Sequence, residues 1–323
     1  MTLSKLAQLA NVSVSVVSKA FSGRGDVSDA MREHVFEIAR KHGCFMQFYH
    51  SRYDKPVIAV IIPEAISKFY INYIETLKKD IEENGYTMLL SISNFDNTMK
   101  DELVRYYTEH SKVDGLIQID NVYNISHKCD TVLICTVNDA TVGLGASVSR
   151  NMRSGIRKCL EYLISAGHKK IAYVGEELTI SRKRILLSEL RALGAECDEA
   201  LLYTSRSRFE EAGRDGVRKL FSSNTDKPTA ILGAYGYITQ GIISELESMG
   251  LRVPEDVSVV SLDSDPSPIH KTLDVACIPS DIDLVCSQIM TLLCDRIGTD
   301  EPNRPTNVVI DSSFRLGNTV SRL

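Results

Sequence analysis

Apolar residues recur over the first 45 positions at helical spacing and then along the rest as short unbroken runs, so the change of period divides the chain in two. Leu3, Leu6, Ala7 and Ala10 fall on one face of a first helix. Asn11 breaks it. Ser13 is placed to cap a second helix by accepting a first-turn N–H, with Val17, Ala20 and Phe21 facing inward and Val14, Ser15, Ser18 and Lys19 outward. A third helix starts after Ser28, carries Met31, Val35, Ile38 and Ala39 on one side, and stops at Gly43. Three such helices share one small core. They fit two readings: a plain amphipathic bundle, or a helix-turn-helix whose second helix enters the major groove of DNA.

From Pro56 onward apolar runs alternate with helical patterns. Val57–Ile62 is continuous, as in a strand covered on both faces, and Ile74, Leu77 and Ile81 mark the helix after it, ended by Gly85. Further strands are expected at 88–92, 115–119, 132–137, 171–174, 230–232 and 257–262, with helices at 100–111, 155–166, 182–193, 209–221 and 238–249 between them. Repeated β-α-β units imply parallel sheets with helices on both faces, and ligands in such folds bind beyond the carboxyl ends of the strands.

At 323 residues the chain is long enough for roughly two to three domains. Its net charge of −5 argues against a protein that coats nucleic acid. The charge is unevenly spread, however: residues 1–55 carry +3 and the remainder −8, so phosphate is attracted at one end only. The start lacks the charged, apolar and small-residue segments of a signal peptide, and no apolar stretch approaches the ~18 residues of a membrane span. A cytoplasmic protein is expected, with no membrane partner. The eight cysteines (44, 129, 135, 159, 197, 277, 286, 294) form no Cys-x-x-Cys pair, and the histidines form no spaced cluster. Gly143-Leu-Gly145 is only a fragment of a dinucleotide fingerprint, and no Walker loop or Gly-x-Ser-x-Gly elbow occurs. No metal, cofactor or catalytic activity is expected. A solute-binding protein would share the body, but it requires export and has no use for the head.

The head resembles the DNA-binding domain of the lactose-repressor (LacI/GalR) family, from Leu6-Ala-Gln-Leu-Ala-Asn-Val-Ser13 through Val17-Ser-Lys19 to Val27-Ser28 and Ala39-Arg-Lys-His-Gly43. Gly167-His-Lys-Lys-Ile-Ala-Tyr-Val-Gly175, Pro228-Thr-Ala-Ile231 and Gly250-Leu-Arg-Val-Pro-Glu-Asp-Val-Ser-Val-Val260 are similar to segments of that family's core. The resemblance implies a fold class of an all-α helix-turn-helix head on an α/β body of two parallel-sheet lobes, similar to periplasmic binding proteins. It implies a head at 1–45, a short atypical linker at 46–55 and a body at 56–323. The N-lobe is expected at 56–166 plus 280–302 and the C-lobe at 167–279 plus 303–323. It further implies a homodimer, a double-stranded DNA operator, a small-molecule effector in the inter-lobe cleft, and repression rather than activation.

Carried over residue by residue, Val14 and Ser15 stand where the family's recognition helix addresses bases, and Lys19 at a third reading position usually held by Arg. Lys keeps the charge but not the planar fork that fits guanine O6 and N7. Ser4, Ser13, Ser18, Ser22 and Ser28 are placed to hold phosphates, or simply to cap helices. The linker departs from the family in being shorter and lacking its Pro and wedge Leu; Phe48 or Tyr53 could take the wedge role, or the segment could be a connector packed on the body.

For the effector, Phe69, Tyr70, Arg184 and Asp263 occupy the corresponding positions, while Tyr235-Gly236 replaces an Asn-Asp pair and Asn151 an Asp. Each polar group lost from a closed cleft removes a partner worth about 1–3 kcal/mol to a sugar hydroxyl. Three readings follow: a different or less hydroxyl-rich ligand, sugar or sugar-derived, flatter or more apolar, with an aromatic one and an anionic one held by Arg184 both open; a vestigial cleft with control by a protein partner; or a pattern displaced in the chain. Arg184 and Asp263 could also pair with each other. Simple neutral hexoses are expected to bind poorly.

Overall fold

A computed structural model describes residues 1–22, 27–45, 48, 56–111, 113–119, 130–137, 145–196, 198–222, 227–264, 270–299 and 301–323. Two compact units emerge, Met1–Val57 with Gly85–Thr87, and the remainder.

The head contains α1 (Leu3–Leu9), α2 (Val14–Ser22) and α3 (Asp29–Lys41). Each start is capped by a hydroxyl: Thr2 Oγ1 accepts from the Lys5 N–H at 3.2 Å, Ser13 Oγ from Val16 at 3.2 Å and Ser28 Oγ from Met31 at 3.3 Å. Asn11 ends α1 with φ +54°, the left-handed conformation that Asn tolerates. The core gathers Leu6, Val17, Phe21, Val35 and Phe36. Phe48 is partly buried against this core, its ring 5.6 Å from that of Phe21, and so is not an exposed wedge. Tyr53 and most of the linker lie outside the described residues.

The body has two parallel sheets. In the first, β1 (Val57–Ile62), β2 (Thr87–Ile92), β3 (Gly115–Ile119), β4 (Val132–Val137), β5 (Ala146–Asn151) and β11 (Thr306–Asp311) run in the order β11-β5-β4-β3-β1-β2. In the second, β6 (Ile171–Glu176), β7 (Leu202–Ser205), β8 (Ala230–Gly233), β9 (Ser258–Ser264) and β10 (Ala276–Pro279) run in the order β10-β9-β8-β6-β7. The helices are α4 (Lys68–Glu83), α5 (Asn97–Arg105), α6 (Met152–Ser165), α7 (Ile180–Ala192), α8 (Phe209–Phe221), α9 (Gly236–Ser248) and α10 (Ile282–Cys294). The helix expected over 100–111 starts three residues earlier and finishes as a wider π-turn, Tyr106–His110.

Two expected lobe boundaries are corrected. The 303–323 segment is not wholly in the C-lobe: β11 pairs with β5 in the first sheet, Thr306 opposite Ala146 and Asp311 opposite Asn151. Only the tail beyond it joins the second lobe, where the Leu323 N–H donates to the Ala166 carbonyl at 2.9 Å. Conversely, α6, expected in the N-lobe, buries Ile156, Cys159, Leu160 and Leu163 in the core of the second sheet. The crossover therefore falls at Asn151–Met152.

Close packing of α8 on α9 fixes one wall of the inter-lobe space. A Cβ on Gly213 would lie 2.2 Å from the Ile238 carbonyl oxygen, and one on Gly241 2.0 Å from that of Glu210, so the two helices meet backbone to backbone. Their first turns, at Phe209 and Gly236, consequently stand side by side at the mouth of the second sheet.

Candidate nucleic-acid interface and inter-lobe cleft

On α2 the inward residues Val17, Ala20 and Phe21 are buried, which turns Val14, Ser15 and Ser18 outward along one exposed face with Lys19 half-buried beside them. Val14, on that outward face, is an apolar side chain 44 % exposed. Ser13 and Ser28 are occupied as caps, and the Ser22 hydroxyl donates to the Lys19 carbonyl at 3.3 Å. Ser4 is exposed on the first turn of α1. No helix among the described residues is long and apolar enough to cross a membrane, and no group of three His, Cys, Asp or Glu there could hold a metal. Cys44, Cys159, Cys277 and Cys286 are buried free thiols, Cys135 is buried and Cys294 exposed; Cys129 and Cys197 lie outside the described residues.

Between the lobes lies a cleft of about 200 Å³, formed at the carboxyl ends of both sheets. Asp263, near the end of β9 and 3 % exposed, is its most heavily bonded group. Arg150 Nη1 donates to Oδ1 at 3.0 Å, the Ser280 hydroxyl to the same oxygen at 2.7 Å, and Arg182 Nη2 to Oδ2 at 2.5 Å. Burial alone would raise the carboxyl, but the charges of Arg150 and Arg182 outweigh it and hold Asp263 below the usual carboxylate range. Both arginines are also anchored to backbone, Arg150 on the Pro279 carbonyl and Arg182 on that of Ala234.

A second cluster lies at the other end. Arg208 forms a bidentate pair with Glu64, just beyond β1, at 2.8 and 3.0 Å, and its Nε lies 3.5 Å from Glu176 Oε1 at the end of β6. The guanidinium rests 4.5 Å from the Phe209 ring centre and 5.4 Å from that of Phe95. The Glu64 pair raises the Arg208 pKa further above its ordinary value. Phe209 has φ +56°, a strained conformation for a bulky residue, and its N–H donates to the Tyr235 hydroxyl at 3.3 Å. Burial, and then the Glu176 charge, push the Tyr235 phenol well up, so it stays protonated.

Aromatic rings line both walls. Phe69, Tyr70 and Tyr73 come from the first turn and a half of α4, with Phe69 packed edge-on against the other two at 5.1 and 5.2 Å. Across the cleft, Tyr237 lies 5.3 Å from Phe209, and its hydroxyl accepts the Lys68 N–H at 3.2 Å, a contact between lobes.

Phe69, Tyr70, Tyr235 and Asp263 thus lie where the sequence reading put them, on the cleft. Two others do not. Arg184 is exposed and away from the cleft; Arg182 takes the place expected of it, because two positions along a helix turn a side chain by ~200° to the opposite face. Asn151 caps α6 by accepting the Ser154 N–H at 3.2 Å and donates to Asp311 at 2.9 Å, outside the cleft lining. The pairing proposed for Arg184 and Asp263 is made instead by Arg182 and Arg150. Glu64, Arg150, Glu176 and Arg208 were missed; their only sequence signal is position, each at the carboxyl end of a strand or just before a helix.

Residues 2–44 match the profile of the bacterial regulatory proteins of the lacI family, and residues 160–319 that of the periplasmic binding protein-like domain. Catabolite control protein A of Staphylococcus xylosus is 24 % identical over 323 residues, covering 94 % of this chain and 95 % of that protein. Among solved structures, a lac repressor dimer bound to operator and the anti-inducer ONPF superposes with a TM-score of 0.72 at 18 % identity, covering 99 % of each chain. A complex of the transcriptional regulator CelR with cellobiose gives 0.65 at 22 % identity, again over 99 % of each. At such identities the two structures establish a shared fold.

Proposed function

The chain belongs to the lactose-repressor family of transcriptional regulators, and on that premise we propose that it is a cytoplasmic, dimeric, operator-binding repressor controlled by a sugar or sugar-derived effector in the inter-lobe cleft. The observation that carries the DNA part is the exposed face of α2, where Val14, Ser15, Ser18 and Lys19 stand together on a helix whose other face is fully buried. Val14 offers a thymine methyl an apolar contact, Ser15 a hydrogen bond and Lys19 a charge. The capped helix starts and exposed Ser4 add donors for phosphate.

Selection from randomised duplexes is the test. The full chain is expected to enrich a near-palindromic site, with affinity falling by about 0.9 log unit per log unit of salt for each phosphate neutralised. Lys19→Ala should weaken that site by roughly 1–3 kcal/mol while sparing random DNA. An equal loss on both would make Lys19 a phosphate contact, and no enriched site would count against the reading. A reporter placed behind the enriched site should fall, not rise, when the protein is supplied.

A single head covers a half-site, so specificity calls for two heads held by a two-fold body. Support for a body interface comes from β2, an edge strand that leaves Leu89, Leu90 and Ile92 about 40 % exposed, and from Met99 and Tyr106, exposed on the helical segment that follows it. Leu90→Asp combined with Met99→Asp should shift the full chain from dimer toward monomer in sedimentation at micromolar concentration. An unchanged dimer would place the interface elsewhere.

A further inference from the structure

The cleft carries two charge poles. Val174 pairs with Gly233, and Gly233 with Ser261, so two residues further along their strands Glu176 and Asp263 stand at one level across β6 and β9, with the end of β8 between them. Two strand spacings put Glu176 and Asp263 ~10 Å apart. Around Glu176 are two carboxylates, Glu64 and Glu176, and one guanidinium, Arg208, a formal −1. Around Asp263 the groups that line the cleft are two guanidiniums, Arg150 and Arg182, and one carboxylate, a formal +1, with Asp281 outside the lining acting on Arg150 from behind.

The poles differ in what they leave open. At the basic pole both oxygens of Asp263 are taken, so it has nothing further to offer a donor, whereas Arg150 and Arg182 each hold N–H groups beyond those that bind Asp263 and the backbone. At the acidic pole the two Nη groups of Arg208 are taken by Glu64, and its Nε, 3.5 Å from Glu176 Oε1, makes no hydrogen bond. Glu176, whose carboxylate also stands beside the Tyr235 hydroxyl, keeps a buried Oε2 with no hydrogen-bond partner; on the wall contributed by the first lobe Ser67 Oγ likewise has none, and both residues line the cleft and are more than nine-tenths buried. An unpaired buried carboxylate oxygen is among the costliest groups to leave without a donor, and a cationic donor answers both its hydrogen bond and its charge. The aromatic walls offer the apolar face of a sugar ring a place to lie.

We propose that the cleft takes a dipolar sugar derivative, with a primary ammonium against Glu176 and Ser67 and an anionic group against Arg150 and Arg182. This rests on the reading of the cleft as the effector site. A neutral sugar can donate a hydroxyl to Glu176 but leaves both poles uncompensated. A purely anionic or purely cationic ligand answers one pole and leaves the other. The lining as a whole is balanced, three carboxylates against three guanidiniums, and so selects a ligand whose charges are separated rather than one with a large net charge.

Calorimetry on the full chain with four probes separates the two groups: glucosamine 6-phosphate, glucosamine, glucose 6-phosphate and glucose. The doubly substituted sugar is expected to bind tightest, and each amine to bind about tenfold or more tighter than its hydroxyl counterpart. Glu176→Gln should reduce that amine preference to within about twofold while the phosphate preference persists, a ratio that general loss of folded protein does not move. Ser67→Ala should reduce it in the same direction by a smaller factor. Equal binding of amines and hydroxyls, or an amine preference untouched by Glu176→Gln, overturns the proposal and leaves the cleft as an effector site of another class. Failure of all four probes to bind overturns the proposal and counts against the cleft reading with it.

Discussion

Asp263→Ala should destabilise the body by about 3–5 kcal/mol and lower its unfolding midpoint by on the order of 10 °C. The carboxylate is buried, and removing it strands two guanidiniums of which Arg150 is itself only 11 % exposed and Arg182 18 %. Each would keep one backbone carbonyl and lose its counter-charge. The Ser280 hydroxyl would lose its acceptor as well. Because Asp263 is held below the ordinary carboxylate value when folded, its contribution is present above the unfolded value of about 3.9 and is lost as pH falls through the folded one. The variant should therefore differ most from the parent at neutral pH, with the gap closing in strong acid. Arg184→Ala is the control, expected within about 0.5 kcal/mol of the parent, since that side chain is exposed. Chemical denaturation at pH 7 and at pH 3 measures all of this, and comparable losses for Asp263→Ala and Arg184→Ala would show that the ion cluster is not what holds the cleft.

The head was legible almost to the residue because its elements announce themselves locally. Asn11 at a left-handed turn, Ser13 and Ser28 as caps and Gly43 with φ +65° are positions where one residue type settles the backbone. The body was legible where strands are apolar on both faces, as in β1, and not where they are polar or short. β5 reads Ala-Ser-Val-Ser-Arg-Asn and β7 only Leu-Tyr-Thr-Ser, so neither carries an unbroken apolar run. β11 is an edge strand with alternate residues exposed, and nothing in its own sequence says which sheet it joins; that is fixed by pairing with β5, more than 150 residues earlier.

The cleft was legible by half. Its aromatic residues Phe69 and Tyr70 could be placed through the resemblance to the lactose-repressor family, whose cleft aromatics follow the first strand. Its ion pairs join Glu64 to Arg208 and Arg150 to Asp263, across separations of 144 and 113 residues, and no periodicity records such a meeting. The Arg182–Arg184 confusion has a different origin, since both lie on α7 and only the helical phase, set by burial of Ile185 and Leu186, decides which one faces the cleft.

Phe21→Ala should abolish specific DNA binding while leaving the body's unfolding midpoint where it was. Phe21 is 1 % exposed, and its ring lies 4.9 Å from that of Phe36, 5.9 Å from Phe45 and 5.6 Å from Phe48, so it is the ring to which the other three are joined. Truncating a buried Phe costs about 3–5 kcal/mol through lost transfer energy and the cavity left behind. A helical unit of this size has only a few kcal/mol in total, because small domains bury proportionally little surface. The loss therefore takes the whole margin, and with it the rigid presentation of Val14, Ser15 and Lys19 on α2. Specific affinity should fall toward the non-specific level, a change on the order of 10³-fold or more, far beyond the effect of Lys19→Ala. Anisotropy titration on the selected site, with calorimetric scanning of the same preparation, reads both quantities. Operator binding within tenfold of the parent would mean that the aromatic cluster is dispensable, and a displaced body transition would mean that the two units do not unfold separately.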